Sequence, residues 1–423
     1  MQSLFDPFAL KSVTLRNRIA VSPMCQYSAE EGVANEWHRV HLAGLARGGS
    51  GLVIVEATGV SPEGRITPGC LGLWNDAQAE ALAPSVAAIK RHGAAAGIQI
   101  GHAGRKASAN KPWEGDDHLA ETDLRSWQII APSAIAFGGD LPRVPRAMTK
   151  DDIARVRNDF VAAAKRARDL GFDWLVLHFA HGYLAQNFLS VHSNQRDDEY
   201  GGSFQNRSRF LIETLRAVRE VWPEERPLTA RLGVIEFDGR DEETLAASVT
   251  LVRSFKDEGL DLIDVSMGFS TPEAQVPWGP ALLAPVAERV RRETGLPTAT
   301  GWFISEPKQA DALIREEKLD LMMVGRPLLE DPHWPYTAAR KLGVDRAAWA
   351  TLPAPYAHWL SRRLRRDAGG AQGATREDIS QRHGLPLVVE PAPTRAGLSR
   401  NHREIRCDRD SGLALLKADQ HLG

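Results

Sequence analysis

Short runs of β-branched and apolar residues alternate along the chain with longer stretches whose apolar positions recur every three to four residues. Eight such runs stand out: "RIAVSPM" at 18–24, "LVIVEAT" at 52–58, "GIQIG" at 97–101, "WLVLH" at 174–178, "LTARL" at 228–232, "LIDVS" at 262–266, "PTAT" at 297–300 and "LMMVG" at 321–325. Each is short and apolar enough to form a strand buried on both faces. Between them lie helical patterns such as "AQAEALAPSVAAIKRHGAAA", "TKDDIARVRNDFVAAAKRARDLG" and "DEETLAASVTLVRSFKDEG", the last two opening on capping residues and closing on glycine. Strands alternating with helices predict an α/β protein with a parallel sheet. Eight βα units predict a TIM (β/α)8 barrel, whose core takes about 250 residues before insertions. A doubly wound sheet is the competing arrangement.

Two segments fall outside the repeat. Residues 102–148, after the third strand, are rich in Gly, Pro, Trp and Asp and are expected to form a lid or capping hairpin over the barrel mouth. From residue 361 the composition turns Arg-rich and Gly-Ala-rich ("SRRLRRDAGGAQGATRED") with no further βα unit. The expected organisation is a barrel over 1–360 and a poorly ordered tail over 361–423.

Composition narrows the function classes. The chain has 423 residues, 43% of them hydrophobic and 25% charged, with a formal net charge of −2. That balance gives no electrostatic reason to expect nucleic acid or an anionic membrane as partner, and leaves small molecules. Cys25, Cys70 and Cys407 show none of the close spacings of structural zinc or redox pairs. A reducing cytoplasm is the expected compartment. The opening "MQSLFDPFALKS" lacks the basic and apolar regions of a signal peptide, and no uncharged apolar run reaches about 18 residues.

In a TIM barrel the site forms where the strands end. Reactive residues gather there: Ser22, Pro23, Met24, Cys25 and Tyr27 after the first strand, Gln99 and His102 at the third, and His178, His181 and Tyr183 in "HFAHGYL" at the fourth. Arg231 lies on the fifth, Gly301 and Trp302 follow the seventh, and Gly325 and Arg326 follow the eighth. Glycines after strands seven and eight permit close backbone approach to a phosphate, and Arg326 adds a charged fork. Two histidines at i and i+3 could bind zinc with His102 as third ligand, which keeps a zinc-dependent barrel hydrolase open, although the glutamate of a helical zinc motif is absent. Alternatively, neutral histidines that donate to a substrate oxygen, with a tyrosine to deliver a proton, are the parts needed to activate and protonate a polarised double bond.

Five stretches together resemble the Old Yellow Enzyme family of flavin ene-reductases: Ser22 to Tyr27, "GIQIGHAGRKA", "HFAHGYL", "SNQRDDEYGGSFQNRSRF" and "VGRPLLEDPHWP". Cys25 and Tyr27 are similar to the thermophilic-like subgroup, and "SMGFSTPEAQVPWGPALLAPVAERVRRE" to its xenobiotic reductases. The resemblance implies an FMN-containing barrel that oxidises NADPH or NADH and reduces an activated alkene. It implies that Ser22, Pro23, Met24, Cys25, Ala57, Gln99, Arg231, Gly301, Gly325 and Arg326 bind FMN, with Gln99 and Arg231 at its pyrimidine edge and Cys25 tuning its potential. His178 and His181 would hold the substrate carbonyl, Tyr183 would protonate the α-carbon, and Tyr27 and Trp302 would shape the pocket. Trp359 would come from a neighbouring subunit of a homodimer or higher homo-oligomer. Two departures stand out: Val176 occupies a position where the family commonly has glutamate, and the chain continues well past Trp359. A non-catalytic flavin-binding barrel is the reading those departures would favour.

Overall fold

All eight apolar runs form strands in the computed structural model, which describes residues 2–370. They are β1 (Ile19–Val21), β2 (Leu52–Gly59), β3 (Ala95–Gly101), β4 (Trp174–Phe179), β5 (Leu228–Ile235), β6 (Leu262–Met267), β7 (Thr298–Thr300) and β8 (Leu321–Val324). Each pairs in parallel with the next, and β8 pairs with β1 to close the barrel. The TIM barrel is therefore the fold, and the doubly wound sheet is not.

The alternation along β4 shows why these runs are apolar throughout. Trp174 and Val176 point into the barrel, where they pack with Ile54, Ala299 and Met323. Leu175, Leu177 and Phe179 point outward into the layer between strands and helices. Both faces are dry, so neither tolerates regular polar positions. A hairpin of Phe8–Leu10 and Val13–Leu15 adds Phe8 and Leu15 to the interior cluster. Apolar packing thus fills one end of the barrel and leaves the other for a site.

The outer helices begin largely as expected. Thr149 and Asp152 form a capping box at the start of α1 (Lys150–Asp169). Asp241 departs from its expected capping role: it is the first residue of α2 (Asp241–Asp257), and its carboxylate accepts the Phe237 amide at 2.6 Å instead.

The 102–148 insertion is not a hairpin. Its two short strands, Ile130–Ala131 and Arg146–Ala147, pair in parallel, so the chain between them loops round to re-enter in the same direction. At the other boundary, a helix spanning Ala354–Gly370 runs across the expected limit at 360. The rest of the expected tail, 371–423, lies outside the described residues. Among the described residues no helix is long and apolar enough to cross a membrane.

Candidate active site

A cavity of about 420 Å³ opens at the C-terminal ends of the strands. Ser22 to Cys25 line it after β1, Ala57 from β2, Gln99 from β3, and His178, His181 and Tyr183 from β4. Arg231 enters from β5, Gly301 and Trp302 follow β7, and Gly325 and Arg326 follow β8. Fourteen of the residues singled out in the sequence thus share one wall, though they span three hundred positions.

Register builds its floor. His178 on β4 stands opposite Arg231 on β5, which stands opposite Asp264 on β6. Arg231 Nε lies 3.3 Å from Asp264 Oδ2, and both side chains are buried. Burial pushes the Asp264 carboxyl up to about 6, and the Arg231 charge opposes that rise. Val176 faces the apolar interior two residues before His178, so the buried carboxylate at this level belongs to β6. His178 is itself buried, which holds its pKa well below the usual histidine value, with the Arg231 charge adding to the effect. The Ala180 amide donates to His178 Nδ1 at 3.4 Å. The neutral ring therefore carries its proton on Nε2.

His181 and Gly182 both have left-handed backbones, with φ of 63° and 68°. For histidine this conformation is uncommon and is held by its surroundings. The His181 amide donates to the Met267 carbonyl at 3.2 Å. Lys106 Nζ donates to the His181 carbonyl at 2.9 Å and to that of Phe269 at 3.0 Å. The turn delivers Tyr183 edge-on to His178, with ring centroids 5.0 Å apart and an interplanar angle of 88°. Burial raises the Tyr183 hydroxyl well above the usual phenol value, so it keeps its proton. Burial does the same to the Cys25 thiol, which excludes a thiolate at neutral pH. Above the histidines, Trp302 Nε1 donates to Ser266 Oγ at 3.0 Å, and the same oxygen lies 2.7 Å from His181 Nε2.

Three expected residues stand apart from the cavity wall. Tyr27, in the left-handed region at φ 50°, is buried behind the wall, with its side chain hydrogen-bonded to Cys25 and its ring in edge contact with Trp113 of the insertion, centroids 5.9 Å apart. Trp359 is 68% exposed and lines a separate surface groove with His333 and Tyr336. His102 is buried behind the site, where its Nδ1 accepts the Gly104 amide at 3.0 Å. Among the described residues no three His, Cys, Asp or Glu side chains converge to hold a metal ion, so the three-histidine zinc arrangement does not form. No residue of the insertion lines the cavity either. Conversely, sequence reading missed Lys106, Ser266 and Phe303. Lys106 was visible in "GRKA" but gave no sign of its reach across the barrel to the loops after β4 and β6.

Two buried donors on the cavity wall make no hydrogen bond: the Gln99 Nε2 amide, and the Arg231 Nε, whose charged neighbour is the Asp264 carboxylate at 3.3 Å. Buried donors are rarely left so, and an apolar slot with two unsatisfied donors on one side suits a planar heteroaromatic ring bearing acceptors on one edge. Arg326, beside Gly325 at the opposite rim, supplies a cation for an anionic extension of such a ring.

Residues 3–344 match the family described as NADH:flavin oxidoreductase / NADH oxidase. The chain is 44% identical over 343 residues to the NADPH dehydrogenase of Geobacillus thermodenitrificans, covering 81% of this chain and 95% of that protein. It is 41% identical over 343 residues to the NADPH dehydrogenase of Halalkalibacterium halodurans, covering 80% and 95%. Among solved structures it resembles morphinone reductase in complex with tetrahydroNAD, with TM-score 0.68 and 27% identity over 84% of this chain and 93% of that one. The Old Yellow Enzyme homologue from Zymomonas mobilis gives TM-score 0.68 and 27% identity over 84% and 99%.

Proposed function

The chain belongs to the NADH:flavin oxidoreductase / NADH oxidase family and is an FMN-dependent NAD(P)H dehydrogenase of the Old Yellow Enzyme type, and from that premise we propose that it reduces the C=C bond of α,β-unsaturated carbonyl compounds. One observation carries the reading: a buried, neutral His178 and a phenolic Tyr183 stand in a T-shaped contact in the same cavity. A neutral imidazole donates to a carbonyl oxygen without transferring its proton, and a protonated phenol holds a proton ready for carbon.

FMN, when bound, supplies two-electron transfer between NAD(P)H and the second substrate. Gln99 and Arg231 would meet its pyrimidine edge, since the buried donors that make no hydrogen bond in the protein fit acceptors there. Ser22 to Cys25 and Ala57 would flank the ring system, and Gly301, Gly325 and Arg326 would receive the phosphate. His178 and His181 would bind the carbonyl oxygen and draw electron density from the β-carbon. Tyr183 would then give its proton to the α-carbon. Trp302 would cover the substrate, and Tyr27 would act from behind Cys25 and not as a wall of the pocket. A single cavity serves NAD(P)H and alkene in turn, which fits a ping-pong order.

The exposed Trp359 and neighbouring Tyr356 support a homodimer or higher homo-oligomer in which this surface meets a partner. Sedimentation of Trp359→Ala beside the unsubstituted chain tests that; an unchanged assembly would remove the role. For the reaction, the purified protein should be yellow, bleach with NADPH and regain its colour with 2-cyclohexenone. Yellow protein that bleaches but ignores every enone would overturn the alkene assignment while leaving the dehydrogenase in place.

A further inference from the structure

Ser266 has two side-chain contacts in the described structure, and their chemistry fixes the direction of each. Its Oγ is 3.0 Å from Trp302 Nε1 and 2.7 Å from His181 Nε2. An indole N–H only donates, so Ser266 Oγ accepts from Trp302. Ser266 is fully buried, so its own proton needs an acceptor within the protein. His181 Nε2 is the acceptor within reach. The hydroxyl therefore points at Nε2, and 2.7 Å is a normal length for an O–H donor.

We infer that Ser266, oriented by Trp302, is a positioning residue that fixes His181 in the tautomer protonated on Nδ1. The chain of donors runs one way, from the Trp302 indole through the Ser266 hydroxyl to His181 Nε2. An imidazole protonated on Nε2 would face a hydroxyl already accepting from Trp302, and would leave the Ser266 proton buried without an acceptor. That loss costs free energy comparable to desolvating a hydroxyl. His178 is fixed in the opposite sense: the Ala180 amide occupies its Nδ1 and leaves the proton on Nε2. The two histidines, with ring centroids 4.9 Å apart and nearly perpendicular at 89°, are thus held by different elements in different tautomers. This is how a pair of neutral histidines avoids turning a lone pair toward the same oxygen. The consequence for carbonyl binding rests on the alkene-reductase reading; the tautomer itself does not.

The test is long-range ¹H–¹⁵N NMR of the FMN-loaded full chain labelled at histidine, with His181→Asn identifying the His181 signals. The unsubstituted chain should show His181 protonated on Nδ1 only. Ser266→Ala should release it to a mixture of tautomers, and Ser266→Thr, which keeps the hydroxyl, should restore the single form. In parallel, 4-nitrophenol should bind roughly two- to tenfold more weakly to Ser266→Ala, the loss of one oriented hydrogen bond. His181 protonated on Nε2 in the unsubstituted chain, or an unmoved tautomer in Ser266→Ala, would overturn the inference. A chain that shows the Nδ1 tautomer yet never reduces an enone would leave the inference standing and remove the alkene reading alone.

Discussion

Lys106 reaches from the loop after β3 to the carbonyl of His181, 2.9 Å from its Nζ, and pins the left-handed turn that carries the site's second histidine. The same nitrogen holds the carbonyl of Phe269, also left-handed at φ 48°. One buried lysine, whose pKa burial lowers to about 7, thus braces two strained turns from different βα units.

Lys106→Met should therefore destabilise the fold by about 1–3 kcal/mol, the range for buried acceptors left without donors. Thermal melts should drop by several degrees, and 4-nitrophenol affinity should fall with them. A variant as stable and as tight as the unsubstituted chain would mean that the turns hold themselves.

Tyr183→Phe keeps the ring against His178 and removes only the proton. Enone reduction should slow by about 100-fold or more, the typical contribution of a positioned acid. Flavin reduction by NADPH should stay within a few-fold. Stopped-flow measurement of both half-reactions separates them, and equal losses would move the proton donor elsewhere.

His178→Ala removes one of the two proposed carbonyl donors. Affinity for 4-nitrophenol should fall by roughly 10- to 150-fold, since hydrogen bonds to charged groups contribute about 1.5–3 kcal/mol. Titration of the bound ligand's absorbance reads this directly; unchanged affinity would leave His178 without a binding role.

Glu56 lies beneath the loop that follows β1. Its Oε2 accepts the Gln26 amide at 2.9 Å, and its Oε1 lies 3.6 Å from His38 Nε2. Burial raises its carboxyl from 4.5 to about 8, and burial likewise keeps His38 neutral, down to about 4. A folded-state pKa above the unfolded one means the native chain holds a proton that the unfolded chain has lost. Stability from this group is full below pH 4.5 and fades as pH rises toward 8, with a slope of up to about 1.4 kcal/mol per pH unit. Glu56→Gln should flatten the melting temperature between pH 5 and 8. The same pH dependence in both chains would show that Glu56 is already ionised.

The barrel was readable because burial on both faces writes the same signature into all eight strands, from "LVIVEAT" to "LMMVG". The site was readable because strand ends are where side chains reach the cavity, as His178, Arg231 and Gln99 do. Sequence spacing placed Tyr27 beside Cys25, and their side chains do meet, but the left-handed backbone that also sets its ring against Trp113 has no local signature. Ser266 stayed hidden for another reason. In "LIDVS" it is one small residue closing a strand, and both its partners arrive only when the barrel closes, His181 from 85 positions away and Trp302 from 36. Lys106 was obscured in the same way, since no local pattern marks a lysine whose acceptors are backbone carbonyls on two other loops.

The hydrogen bond from Trp302 to Ser266 has a bearing on how this pocket can evolve or be engineered. Position 302 is an obvious place to make room for bulkier molecules, because its ring lines the cavity. Yet any replacement lacking an N–H in the same spot frees Ser266 to rotate at the moment the space opens. Size selectivity and proton placement are therefore inherited together, and a library built at 302 alone would trade one against the other unless position 266 were varied beside it.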